Sequence, residues 1–204
     1  MLLFARYNWF ANGCIKRIKN PEKVLYLSFD DGPNPEITPK VLELLKKYSA
    51  KASFFCIGKN AEQYPDILNL IKQNGHTIGN HSYSHLNAFK TSKTEWLNDV
   101  FKQSPISESH FFRPPYGKIN PFTLKQLKLK YKIILWDVFS YDYNQNITLP
   151  RIKKLITKTV RNGSIIVFHD TEKAKKNMLS SLAFTLEYFS GKGYRFEKIK
   201  TLTI

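Results

Sequence analysis

Val24-Leu25-Tyr26-Leu27-Ser28-Phe29-Asp30-Asp31-Gly32-Pro33 decides the fold. An apolar, strand-like run over Val24–Phe29 ends in two adjacent carboxylates and a turn-forming Gly-Pro pair. From there the chain alternates between helical and strand-like segments. Ile37–Tyr48 has helical spacing, with Val41, Leu44, Leu45 and Tyr48 on one face, and Ala52–Ile57 reads as a second strand closed by Gly58. Ala61–Gln73 reads as a helix stopped by Asn74-Gly75. His76–Gly79 is a third strand, Thr91–Lys102 a helix, and Phe111-Phe112 ends a fourth strand before Arg113-Pro114-Pro115. Phe122–Lys130 is a short helix and Ile133–Val138 a fifth strand. Thr148 stands as an N-cap with Pro150 in the first turn of a helix that runs to Val160. Ile165–Phe168, Met178–Phe189 and Tyr194–Ile199 complete the series as strand, helix and strand. Strands alternating with helices predict a parallel sheet. A closed eight-stranded barrel typically takes about 250 residues, so 204 residues point to an incomplete, seven-stranded (β/α) barrel.

Unusual polar residues follow the ends of five of these strands: Asp30-Asp31, His81 with His85, Arg113, Asp137 and His169. In parallel α/β folds the loops at that edge converge into the active site. An ordinary Asp-Gly-Pro turn would account for Asp31-Gly32-Pro33 alone. Two adjacent carboxylates repel, however, and side chains alternate along a strand, so the pair is suited to different tasks, one holding a cation and the other acting as a free base. His81 and His85, spaced i and i+4, would share one helical face and chelate one ion. No Glu follows His81, so the base must come from elsewhere, and Asp30 is the candidate. Asp31, His81 and His85 together make a three-ligand site with open positions, which describes a catalytic metal. The ligand set suits zinc and tolerates Co, Mn, Fe or Ni. An iron oxygenase uses the same ligand types but has no need of the extra base, acid and Arg.

Arg113-Pro114-Pro115-Tyr116-Gly117 is a rigid segment, in which Arg113 can pair with a carboxylate and a fixed Tyr116 N–H can face an oxyanion. Asp137 and His169 each end an apolar strand. A His with a carboxylate partner is a general acid with a raised pKa, although spacing alone does not decide whether these two pair. His76, His110 and Cys56 read as structural.

Charge is the odd figure in the composition: 32 Lys+Arg against 16 Asp+Glu, a formal +16. Only six of the cations are Arg, whereas readers of phosphate and bases favour its bidentate fork. A Lys excess spread over solvated helix faces fits better than a nucleic-acid partner, and none is expected. A non-catalytic binder of anionic polymer is the alternative from another class. It would show a damaged ligand set or a missing base, and neither is seen. Two Cys make no disulfide framework, and no apolar run spans a membrane. Met1–Ala5 meets Arg6 too early for a signal-peptide core, and Asn8 and Asn12 argue against a lipid-bearing Cys14. The default expectation is a cytoplasmic monomer.

Five segments, in order, resemble the NodB-type polysaccharide deacetylases, carbohydrate esterase family 4. They are Ser28–Pro33, His81–His85, Arg113–Gly117, Asp137–Tyr143 and Val167–His169. The resemblance implies a distorted (β/α)7 barrel over residues 23–204, with 1–22 as an extension. It also implies metal-dependent hydrolysis of N-acetyl groups from amino sugars of a peptidoglycan- or chitin-like glycan. O-acetyl ester cleavage on a polymer such as xylan is a close variant. By similarity, Asp30 is the base, Asp31, His81 and His85 hold the metal, and Arg113 orients Asp30. Asp137 supports His169, the acid, and Tyr116 offers its backbone N–H. Pro115, Tyr116, Trp136, Tyr143 and Val167 are the expected substrate contacts. Tyr143 stands where the family often has Trp.

Overall fold

The computed structural model describes residues 13–200. The readings made on Met1–Ala5, Arg6, Asn8 and Asn12 lie outside them. Eight strands form one sheet: β1 Val24–Asp30, β2 Ala52–Cys56, β3 Thr77–Asn80, β4 Phe111–Phe112, β5 Lys132–Ile133, β6 Val138–Phe139, β7 Ile165–His169 and β8 Arg195–Phe196. Their order is β5-β4-β3-β2-β1-β7-β6, with β8 also beside β1. Every pairing is parallel. The sheet curls into a half-barrel, open between β5 and β6.

Among the described residues seven α-helices accompany the strands: α1 Thr38–Lys47, α2 Gly58–Gln63, α3 Pro65–Gln73, α4 Lys93–Phe101, α5 Pro121–Lys128, α6 Leu149–Thr159 and α7 Lys175–Ser190. The predicted helix Ala61–Gln73 is thus divided. Pro65 has no amide hydrogen to continue α2, so it starts α3 instead. The predicted strand Ile133–Val138 is divided as well. Its first part pairs with β4 and its second with β7, on opposite lips of the opening. Thr148 is the N-cap of α6, with no side-chain cap bond.

Alternation along β1 sets up everything else. Leu25, Leu27 and Phe29 face the helices and join Ala52, Phe54, Ile166, Phe168 and Leu186 in the main core. Val24 and Tyr26 join Phe55, Phe111, Ile134 and Ile165 in a second cluster inside the barrel. Ser28 and Asp30 continue that inward face, so the barrel interior turns from apolar to polar towards the C-terminal ends of the strands. Cys56 is core, as expected. His76 is structural too: its Nδ1 accepts the Ala52 N–H at 3.1 Å, and burial lowers its pKa to about 4, which keeps it a neutral acceptor.

The segment before β1 lies across the foot of the opening. Ile15 bridges Ile134 in parallel, and Arg17 bridges Ser164 in antiparallel fashion. Ile18 sits in the interior cluster. Among the described residues no helix is long and apolar enough to cross a membrane.

Candidate active site

Asp30 ends β1, buried, opposite His169 of β7 in the parallel ladder. Partners in such a ladder stand roughly 5 Å apart and project to the same face, so both side chains point into the barrel mouth. Arg113 fixes the first of them. Its Nη1 donates to Asp30 Oδ1 at 2.6 Å and to Ser28 Oγ at 2.9 Å. Its Nε and Nη2 donate to the carbonyls of Ile134 and Leu135, and its guanidinium stacks 4.0 Å over the Phe55 ring. Arg113 is 0% exposed, and every partner is fixed. A planar fork with five donors does this and a Lys does not.

Asp31 lies one residue beyond the strand and turns away from Asp30. Its Oδ1 stands 3.5 Å from His81 Nε2 and 3.2 Å from His85 Nε2. Ligand atoms of the three residues lie within 4.8 Å of one another. Among the described residues, Asp31 Oδ1 is the buried side-chain oxygen left without a hydrogen bond. Such an orphaned acceptor facing two imidazole nitrogens fits a divalent cation. The His81 tautomer fits as well: Nδ1 donates to the Arg113 carbonyl at 2.7 Å, leaving the Nε2 lone pair for an ion. Burial alone would raise the Asp31 pKa, but the two imidazoles hold it well below the usual carboxylate range. The histidines do not share a helical face as expected. Residues 81–86 are a non-helical loop, with Ser82 and His85 at positive φ, and this fold of the chain brings the rings to 5.0 Å.

Asp137 is not the partner of His169. It precedes β6, opposite Ile165, where its carboxylate accepts from Ser164 Oγ and the Ile165 N–H. Four residue steps along β7, about 13 Å of strand, separate that level from His169. Asp142 takes the role instead. Its Oδ1 pairs with His169 Nδ1 at 2.7 Å, and its Oδ2 accepts the His169 N–H at 2.8 Å. Burial would lower the His169 pKa, but Asp142, helped by Asp30 and Asp31, raises it to about 9. The signal lay in Tyr141-Asp142-Tyr143, a carboxylate just past β6.

Substrate contacts also sort differently. Tyr116 is 56% exposed at φ 61°, and its ring packs on His85 at 4.6 Å. Trp136 is half-buried against Phe139, and Tyr143 packs edge-on to His169 at 5.4 Å. Pro115 is buried at the start of the short helical turn Pro115–Gly117 that carries Tyr116. Val167 is 0% exposed and lies on the same face of β7 as Ile165 and His169. Of the six non-glycine residues with positive φ among the described residues, five stand in these loops: Asp31, Ser82, His85, Tyr116 and Tyr141. Each such conformation costs about 1–3 kcal/mol and concentrates where geometry is held for function.

Two buried ion pairs, Asp30–Arg113 and His169–Asp142, and three residues that could hold a metal thus stand together at the mouth of a parallel half-barrel. The sequence profile of the polysaccharide deacetylase family matches residues 17–133. A peptidoglycan-N-acetylglucosamine deacetylase of Bacillus cereus is 33% identical over 194 residues, covering 91% of this chain and 90% of its own. A chitooligosaccharide deacetylase of Azorhizobium caulinodans is 34% identical over 169 residues, 78% of this chain and 79% of its own. The crystal structure of the Bc1960 peptidoglycan N-acetylglucosamine deacetylase aligns with a TM-score of 0.83 at 30% identity, over 95% of this chain and 94% of that one. The chain belongs to the polysaccharide deacetylase family, and its fold is that of the family 4 carbohydrate esterases.

Proposed function

We propose that this enzyme hydrolyses N-acetyl groups from amino-sugar residues of a peptidoglycan- or chitin-like glycan, releasing acetate. Residues 23–204 act as the catalytic unit, as a monomer, with zinc held by Asp31, His81 and His85. The observation that carries the reading is the pairing of Asp30 and His169 across one ladder, each locked by a buried partner of opposite charge beside the triad. The relatives named for peptidoglycan N-acetylglucosamine and for chitooligosaccharide support the substrate class.

When bound, the metal supplies Lewis acidity, polarising the acetyl carbonyl and favouring ionisation of water. Asp30, oriented by Arg113, accepts the proton of the attacking water. The Tyr116 N–H donates to the oxygen on which negative charge develops. His169, protonated through Asp142, gives its proton to the departing sugar nitrogen. An amine leaves poorly as an anion, so this separate acid matters more here than in ester cleavage. Trp136, Tyr116 and Tyr143 offer apolar ring faces to the sugars around the cleft.

Acetate release from N-acetylglucosamine oligomers tests the reading. Activity should vanish with a chelator and return with zinc. Asp30→Asn and His169→Ala should each lose on the order of 10²–10⁴ in kcat. Full activity in Asp30→Asn or His81→Ala refutes the assigned roles.

A further inference from the structure

Asp170 follows the general acid directly and has no part in the proton transfers of the reaction. It is buried, yet its carboxylate reaches across to the turn that follows the two catalytic carboxylates. Oδ1 accepts the Gly32 N–H at 3.1 Å, and Oδ2 meets the Thr38 hydroxyl at 2.5 Å. Thr38 Oγ1 in turn accepts the Asn34 N–H at 2.8 Å. The Asp170 N–H donates to the Asp30 carbonyl at 3.3 Å. One side chain at the end of β7 therefore fastens Gly32, and through Thr38 also Asn34. The other flank of the turn is held from α2 and the residue before it. Asn60 Nδ2 donates to the Asp31 carbonyl at 2.8 Å, and the Ile57 N–H donates to the Gly32 carbonyl at 2.9 Å.

Asp31 sits between these two anchors at φ 78°. A residue with a Cβ adopts that left-handed backbone only where its surroundings over-determine it. Gly32 records how close the anchor is: a Cβ there would lie 2.3 Å from Asp170 Oδ2 and 2.6 Å from Oδ1. We propose that Asp170 is a positioning residue, which holds Asp31 in the backbone conformation that aims its carboxylate at His81 and His85. The proposal rests on the reading that these three residues hold a metal.

The test uses the purified full chain. Zinc affinity is measured by competition with a chromophoric chelator, beside thermal unfolding, kcat and KM. Asp170→Ala should weaken zinc binding about tenfold or more, as loss of a partner that orients a ligand does, and lower kcat with KM within about twofold. Asp170→Asn keeps an oxygen acceptor for the Gly32 N–H and should recover most of the zinc affinity. A residue that only stabilised the fold would lower the melting temperature and leave zinc affinity unchanged, and that result in Asp170→Ala overturns the proposal. If Asp170→Ala does not fold, Thr38→Val decides, because it removes the hydroxyl's bonds to Asp170 and the Asn34 N–H, leaves the Asp170–Gly32 bond in place and keeps the volume. Weakened zinc binding in Thr38→Val supports the proposal, and affinity equal to the wild type overturns it. Wild-type protein that binds no zinc overturns instead the metal reading on which the proposal stands.

Discussion

His169 shows how one partner sets the chemistry of a residue. Without a carboxylate beside it, burial would drive the imidazole to its neutral form. Asp142 reverses the balance and brings the pKa to about 9. Two consequences have opposite relations to pH. In the proposed role of acid, His169 must be protonated, so kcat/KM should fall as pH rises through about 9. The pair also stabilises the fold. The folded value lies above the unfolded one near 6.5, so its contribution is complete below about pH 6.5 and is lost as pH rises through about 9. Asp142→Asn should move the alkaline limb of the rate profile down by a unit or more and lower the rate at pH 8 by about tenfold or more. Asp137→Asn should leave that limb where it is, because its carboxylate serves Ser164 and the Ile165 N–H. A pH–rate series on the two variants distinguishes them, and equal displacement by both would return Asp137 to the catalytic pair.

At the scale of elements, the strand ends carried most of the legible information. Asp30, Asp31, Arg113 and His169 were readable because each interrupts an apolar run at a place where parallel strands open into loops. Their partners were less readable. Asp142 follows a two-residue strand, and Asp137 looked like the end of a longer one, since nothing in Ile133–Val138 marks the crossing between the lips of the barrel. The loop holding His81 and His85 has helical spacing but is held open by Ser82 at positive φ and by Asp99, whose carboxylate accepts the Ser84 N–H. A hydrogen bond from a residue so distant in sequence is invisible to periodicity. The same holds for the strap Ile15–Ile18, whose partners are Ile134, Gly163 and Ser164. Gly163 is its keystone. At φ +79° it accommodates the strap so closely that a Cβ would lie 1.9 Å from the Ile18 carbonyl oxygen. Gly163→Ala should therefore destabilise the protein by about 2 kcal/mol or more, through the left-handed backbone and the displaced strap together. Denaturant unfolding reads the loss. Amide exchange at Ile15 and Leu135, which bond across the strap, should rise before exchange in β1 does.

The whole molecule carries a formal +16 around a site built from carboxylates and imidazoles. No step of the proposed reaction needs that excess. Two buried charges of the site are matched locally, Asp30 by Arg113 and His169 by Asp142. The Lys excess acts from outside, as a field that falls off over roughly 10 Å at 0.1 M salt. One of its sources stands at the cleft itself, since Lys173 Nζ lies 5.8 Å over the ring of Tyr143, which packs against His169. A basic surface raises the local concentration of an anionic substrate and its rate of encounter, and leaves a neutral one alone. Peptidoglycan fragments bearing free carboxylates and uncharged chitooligosaccharides offer the same acetamide to the same residues. For the acidic fragments kcat/KM should fall several-fold, on the order of three- to tenfold, between low ionic strength and about 0.5 M salt. For the neutral oligomers it should stay within about twofold. Lys173→Met should reduce the salt sensitivity of the acidic substrate only, because the change removes one charge from the rim and none from the reaction. Parallel salt profiles for both substrates would mean that the excess charge plays no part in substrate capture, and that the cleft alone selects the glycan.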